Sequence, residues 1–171
     1  MNDFLVIDLE ATCWRDKTEG NSEIIEIGLA VVKDRKIIWN EGIIVKPENS
    51  TVSPFCTQLT SLTQADVDKG ISLKEACHKL ETVYNSKSLP WVSYGMYDFN
   101  KLTYECRDKK IDYPMHGTHI NIKSKAINKF NLVDRKGLSE ACYTAGIRFE
   151  GRHHRGVDDA YNIAKLALTL I

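Results

Sequence analysis

Apolar positions along this chain follow two periods, and the change from one to the other outlines the fold. Residues 1–10 are rich in β-forming side chains and read as a central strand. Segments 23–33 (EIIEIGLAVVK) and 36–46 (KIIWNEGIIVK) read as two further strands, and the short link at Asp34 and Arg35 implies an antiparallel hairpin. After Pro47 a polar, Ser/Thr-rich stretch runs to Thr63, where Thr63-Gln-Ala-Asp66 offers a capping-box-like helix start. Ser72-Leu-Lys-Glu75 is a fuller capping box, and it opens a helix whose core face is Leu73, Ala76, Cys77, Leu80, Val83 and Tyr84. A short strand is expected over 90–95 (PWVSYG), a helix from near Asp98, a strand over 118–122 (THINI), and a helix over 138–145 that stops at Gly146. The last helix runs from Asp158 or Asp159 to the end. Three strands in a meander followed by helix–strand alternation predict an α/β fold: a mixed five-stranded sheet, its first three strands antiparallel, flanked by helices.

Composition narrows the function classes. A chain of 171 residues, 43% hydrophobic and 27% charged, is long enough for one sizeable core, and a single domain over 1–171 is expected. No window approaches the roughly 18 consecutive apolar residues of a membrane span, and no basic region with a long apolar run stands near the start. Five scattered cysteines, never in CxxC spacing, read as reduced thiols rather than a zinc or redox motif. Together these features favour a soluble, cytoplasmic protein with no membrane partner. Lys plus Arg equals Asp plus Glu at 23 each, so the broad positive field of a duplex-binding module is missing. Bound divalent ions supply positive charge where side chains do not, so an enzyme that grips a few nucleotides through metals stays open.

Three clusters carry candidate chemistry. Asp8 and Glu10 lie two positions apart on a strand, so both emerge on one face at the end of an apolar segment. Alone, the pair reads equally as a solvated strand end or as a cation site; burial of unpaired carboxylates costs several kcal/mol, which a divalent ion offsets. Asp98 ends the cluster 91–98 (WVSYGMYD), just past an apolar strand and at the start of a helix, where an N-cap role needs no metal. In 151–159 (GRHHRGVDD) a histidine stands five residues before an acid in two registers, His153 with Asp158 or His154 with Asp159. Helical periodicity aligns Asp158 with Asn162, Lys165 and Thr169, a solvent face suited to an N-cap, and Asp159 with Ile163, Leu166 and Leu170. Asp159 is therefore assigned as the metal ligand, His154 as the catalytic base, and His153 as an exposed neighbour. Four acids and a histidine in this order form a two-metal phosphodiester hydrolysis set, in which ions about 4 Å apart orient a water and stabilise the leaving oxygen. The histidine, whose ordinary pKa lies near working pH, accepts the water's proton.

At this point the sequence resembles the DEDDh 3′→5′ exonucleases, related to the DNA polymerase proofreading subunit and oligoribonuclease. Residues 4–13 (FLVIDLEATC), 53–64 (SPFCTQLTSLTQ) and 151–164 (GRHHRGVDDAYNIA) look like the Eri-type 3′ exoribonucleases and bacterial KapD-like proteins, and the likeness spans nearly the whole chain. The resemblance implies a ribonuclease H-like fold, Mg²⁺ or Mn²⁺ as two divalent cofactors, and release of nucleoside 5′-monophosphates from single-stranded 3′ ends, RNA favoured over DNA. It implies Asp8, Glu10 and Asp159 as direct ligands and Asp98 as a water-mediated one. The main chain at Ala11 and Thr12 would grip the terminal nucleotide, and Leu62 and Tyr97 would pack on its base. Arg152 and Arg155 read equally as phosphate contacts or solvated side chains. Ser61 stands where the Eri group usually has glycine, and His153 where it has proline. Two other readings remain: a polymerase-associated proofreading or accessory subunit, separated by a stable protein complex, and a catalytically idle binding module, which would have no need of His154.

Overall fold

Strand β1 (Phe4–Ala11) is the axis of the molecule. Alternation sends Leu5, Ile7 and Leu9 into one apolar layer, and Phe4 and Val6 into the other. Asp8 and Glu10 continue the Phe4–Val6 face beyond the point where apolar side chains fill it. The structure, a computed structural model, describes residues 1–16, 21–132 and 137–171. β2 (Ile24–Lys33) pairs antiparallel with β1 and β3 (Lys36–Ile44) antiparallel with β2. Their hairpin closes through Asp34 and Arg35, both left-handed at φ 49° and 60°, the two positive values that a tight turn matching the strand twist requires.

Beyond the meander, α1 (Pro54–Thr60), α2 (Gln64–Val67) and α3 (Leu73–Tyr84) precede β4 (Trp91–Ser93) and α4 (Tyr97–Asp108). β5 (His119–Asn121), α5 (Ile122–Phe130), α6 (Leu138–Thr144) and α7 (Gly156–Leu170) complete the chain. The sheet order is β3-β2-β1-β4-β5, with β4 and β5 parallel to β1, so the expected mixed five-stranded sheet is present. α3 and α4 contribute to the layer that holds Leu5, Ile7 and Leu9, whereas α5, α6 and α7 cover the Phe4–Val6 face. Among the described residues, no helix is long and apolar enough to cross a membrane.

Several local expectations shift. Both capping boxes form, at Thr63 with Asp66 and at Ser72 with Glu75. Val83, assigned to the core face of α3, is 63% exposed, and Tyr84 is half-buried with its hydroxyl on Glu41. The polar stretch before Thr63 contains α1, capped by Ser53 with Pro54 in its first turn. α1 ends on Ser61 at φ 64°, a left-handed C-terminal position that suits glycine. α7 starts at Gly156 with Arg155 as N-cap, so Asp158 is not the cap. Instead the Asp158 carboxylate accepts the Arg152 N–H at 2.8 Å. Asn162, placed on the solvent face by hydropathy, is fully buried, its amide donating to Glu150 O and Asp158 O at 2.7 Å each.

The N-terminus of α7 is pressed against β2 because Gly28 faces Gly156: a Cβ on Gly28 would lie 1.8 Å from Gly156 O. Gly28→Ala should therefore force the helix away. Overpacking of this kind costs about 1–3 kcal/mol or more, on the order of 5 °C in melting temperature for a chain of this size. An unchanged thermal melt would contradict so close a contact.

Candidate active site

The carboxyl end of β1 opens into a cavity of about 720 Å³. Asp8 and Glu10 from β1, Asp98 from α4, Asp159 from α7, and His153 and His154 from the preceding loop all line it. Residues separated by up to 151 positions thus meet at one end of the sheet, because β1 is flanked on one side by β2, against which α7 packs, and on the other by β4, which leads into α4.

Each acid is held by the local fold. Asp98 is the second residue of α4, whose N-cap is Met96. It is not the N-cap; it is buried and its Oδ1 accepts the Leu9 N–H at 2.9 Å, which ties α4 to β1. Asp159 is buried on the α7 face shared by Ile163 and Leu166, as the periodicity predicts. Its Oδ2 accepts the His154 N–H at 2.8 Å, and its Oδ1 lies 2.9 Å from His153 Nδ1. His154 has φ 62°, a strained value for a non-glycine residue, and the hydrogen bond to Asp159 holds it there.

His153 is exposed, as expected, yet it is more than a neighbour: it bonds Asp159, stacks on His154 and meets Phe149 at a tilt, with ring centroids 4.9 Å apart in each case. Three side chains that sequence reasoning passed over also shape the site. Glu26, directly opposite Glu10 in the ladder, is fully buried; its Oε2 accepts the Gly156 N–H at 2.9 Å and faces Arg155 Nε at 3.3 Å. It pins the loop that carries both histidines, and a charged residue within the apolar run IIEIGLAVV was the signal for it. Arg155 is thereby a structural partner of Glu26 and of Ser61 Oγ at 3.5 Å. Arg152 reaches Gln58 O at 3.4 Å. Leu59 and Lys123 line the cavity.

Two substrate-contact expectations change. Leu62 is buried in a cluster with Ile25, Cys56 and Val67 and does not line the cavity, whereas Leu59 does. Thr12 is fully buried, its N–H donating to Glu23 O at 2.8 Å and its Oγ1 accepting the Glu23 N–H at 2.9 Å, so it offers no donor to a ligand. Ala11 and Tyr97 do line the cavity, Tyr97 with 55% exposure.

Electrostatics reveal what this arrangement needs. Desolvation, then the neighbouring carboxylates, holds Asp8 well above the ordinary carboxylate range. The same causes push Glu10 up to about 8, and burial, partly offset by the Leu9 N–H, pushes Asp98 up to about 7. Burial also raises Asp159 against the lowering effect of His153. Burial and the charge of His153 lower His154, which favours neutral imidazole near pH 7. Four oxygen donors that resist ionisation together fit hard divalent cations, which would reverse that resistance. Ligand atoms of Glu10, His154 and Asp159 lie within 4.8 Å of one another, close enough to share an ion.

A pH dependence follows. Glu10 and Asp98 have folded-state pKa values above their unfolded ones, so the folded protein binds more protons across the window from the usual carboxylate range up to about 8. Stability of the metal-free protein should fall as pH rises through that window. Added Mg²⁺ or Mn²⁺ should raise the melting temperature more at pH 8 than at pH 5, as differential scanning fluorimetry with and without chelator would measure. An equal metal effect at both pH values would count against ligation by these acids.

The RNase_T exonuclease family model matches residues 5–167. ERI1 exoribonuclease 2 of Xenopus laevis is 31% identical over 193 residues, covering 98% of this chain and 28% of the relative. The probable 3′-5′ exonuclease KapD of Bacillus subtilis is 27% identical, covering 96% of this chain and 82% of the relative. The nuclease domain of 3′hExo, a DEDDh family member bound to rAMP, superposes with a TM-score of 0.88 at 27% identity, over 98% of this chain and 90% of that one. The chain thus spans less than a third of the Xenopus relative's length but nearly all of the 3′hExo nuclease domain. A ribonuclease H-like sheet, an acid-lined cavity at the end of its central strand and a family match over almost the whole chain agree: this protein belongs to the RNase_T exonuclease family, with the DEDDh, Eri-type enzymes among its relatives.

Proposed function

We propose that the protein is a 3′→5′ exonuclease that releases nucleoside 5′-monophosphates from single-stranded 3′ ends, RNA in preference to DNA. The observation that carries this reading is the convergence of Asp8, Glu10, Asp98, Asp159 and His154 on one open cavity. Asp8, Glu10 and Asp159 would hold two divalent ions, Mg²⁺ or Mn²⁺, directly, and Asp98 through a water. When bound, such ions orient the attacking water and stabilise charge on the leaving 3′ oxygen. The chain's own residues do the rest. Neutral His154 accepts the proton of the water, and its Asp159-anchored backbone fixes where the imidazole can reach. Glu26 and Gly28 hold the histidine loop and the start of α7 against the sheet, so Asp159 keeps its place. Tyr97 and Leu59, both on the cavity wall, offer apolar surface to the terminal base.

Support for RNA comes from relatives that are themselves exoribonucleases and from the rAMP complex of the 3′hExo nuclease domain. The wide, open cavity suits an unstacked strand end rather than an intact duplex. The test is a time course on 3′-labelled and 5′-labelled single-stranded RNA and DNA with Mg²⁺, Mn²⁺ or chelator. Stepwise shortening from the 3′ end, faster on RNA and abolished by chelator, is the expected result. Internal cleavage, shortening from the 5′ end, or activity in chelator would overturn the proposal.

A further inference from the structure

A second concavity, about 320 Å³, lies beside the catalytic one and is walled chiefly by Trp14, Arg15, Phe55 and Gln58. Two segments contribute to both. Cys13 lines the catalytic cavity and Trp14, the next residue, lines the second; Leu59 lines the first and Gln58 the second. The two concavities are therefore neighbours along these segments. We propose that the second is an upstream nucleotide subsite, which takes the base and phosphate of a residue 5′ to the scissile bond on the same single strand. This inference rests on the exonuclease reading of the neighbouring cavity.

Three observations converge on that occupant. Trp14 and Phe55 are half-buried, line the concavity and belong to none of the buried apolar clusters among the described residues. Paired aromatic surface at a polar rim is what a base of any identity stacks on, because every base has a π-face. Positive charge stands beside it: the Arg15 guanidinium lies 5.9 Å over the Phe55 ring, and Arg152 reaches the carbonyl of Gln58. The chain as a whole carries no net charge, so attraction for a phosphodiester has to be local, and here the Arg15 guanidinium lines the concavity beside the two aromatic rings. Aromatic surface, basic rim and adjacency to the catalytic cavity fit a nucleotide of the substrate strand better than an apolar ligand or a protein helix.

The test combines binding and turnover. Anisotropy of a 5′-fluorescein RNA hexamer in chelator measures binding without hydrolysis; steady-state kinetics on the same hexamer, intact or with one abasic residue at successive positions from the 3′ end, measures use of the site. Trp14→Ala should weaken hexamer binding and raise KM about 5- to 150-fold, the equivalent of the roughly 1–3 kcal/mol of one base–aromatic stack, with kcat within about twofold. An abasic residue at one upstream position should raise the wild-type KM by a similar factor and add nothing in Trp14→Ala. Trp14→Phe should restore most of the affinity, which a merely structural role of indole bulk would not predict. If Trp14→Ala leaves KM, hexamer binding and the abasic effect unchanged while the wild type degrades RNA from its 3′ end, the subsite is refuted and the exonuclease reading stands. If the wild type binds the hexamer in a Trp14-dependent way but shortens no strand, the subsite stands as a binding site and the exonuclease reading falls.

Discussion

Asp8→Ala is expected to abolish exonuclease activity while leaving the metal-free protein as stable as the wild type or more so. The two halves have one cause. Asp8 sits among Asp98, Asp159 and Glu10 with its ionised form disfavoured by burial and by those neighbours. Removing it relieves repulsion in the absence of metal, so the melting temperature in chelator should not fall. The same removal takes away a ligand oxygen from the β1 face that alternation aims at the cavity. Loss of metal-supplied stabilisation of several kcal/mol, at about 1.4 kcal/mol per factor of ten, is a rate loss on the order of 10³-fold or more. Activity on labelled RNA and thermal melts in chelator and in Mn²⁺ check both halves. A stable variant that retains more than a few per cent of the rate would remove Asp8 from the catalytic set.

The second large effect separates the two histidines. His154→Ala should lower kcat by about 10²- to 10⁴-fold, the range for loss of a positioned general base, with Mn²⁺ affinity largely retained. His153→Ala should keep most of the rate. The assignment survives the finding that His153 bonds Asp159, because that contact lies at one carboxylate oxygen and the other is held by the His154 backbone. Loss of the His153 ring leaves the His154 N–H bond in place. Calorimetric titration of Mn²⁺ alongside kcat distinguishes a base from a ligand. If His153→Ala is the silent enzyme and His154→Ala the active one, the register is reversed.

How far this site could be read in advance depended on which physical signal each residue carried. Asp8 and Glu10 were legible because an alternating strand fixes the face of each side chain, and Asp159 was legible because it shares a helical stripe with Ile163 and Leu166. Hydropathy failed where burial is polar. Asn162 was assigned to solvent because an amide scores as hydrophilic, yet its hydrogen bonds to Glu150 and Asp158 satisfy it in the interior. Glu26 is the same case with a carboxylate, satisfied by Gly156 N–H and Arg155. Helix α1 was hidden by its Ser/Thr content, although Ser53 followed by Pro54 is an N-terminal signature, and with it the place of Leu59 on the cavity wall. Helix α5 was missed because Ile122, its first residue, also completes the alternation of THINI.

Co-crystals with Mn²⁺, with anomalous difference density collected near the manganese edge, test the central claim most directly. Ions should lie among the carboxylates of Asp8, Glu10 and Asp159 with Asp98 reached through water, at the end of β1. Strong anomalous density elsewhere, or none at these four acids at pH 8 and millimolar Mn²⁺, would contradict it.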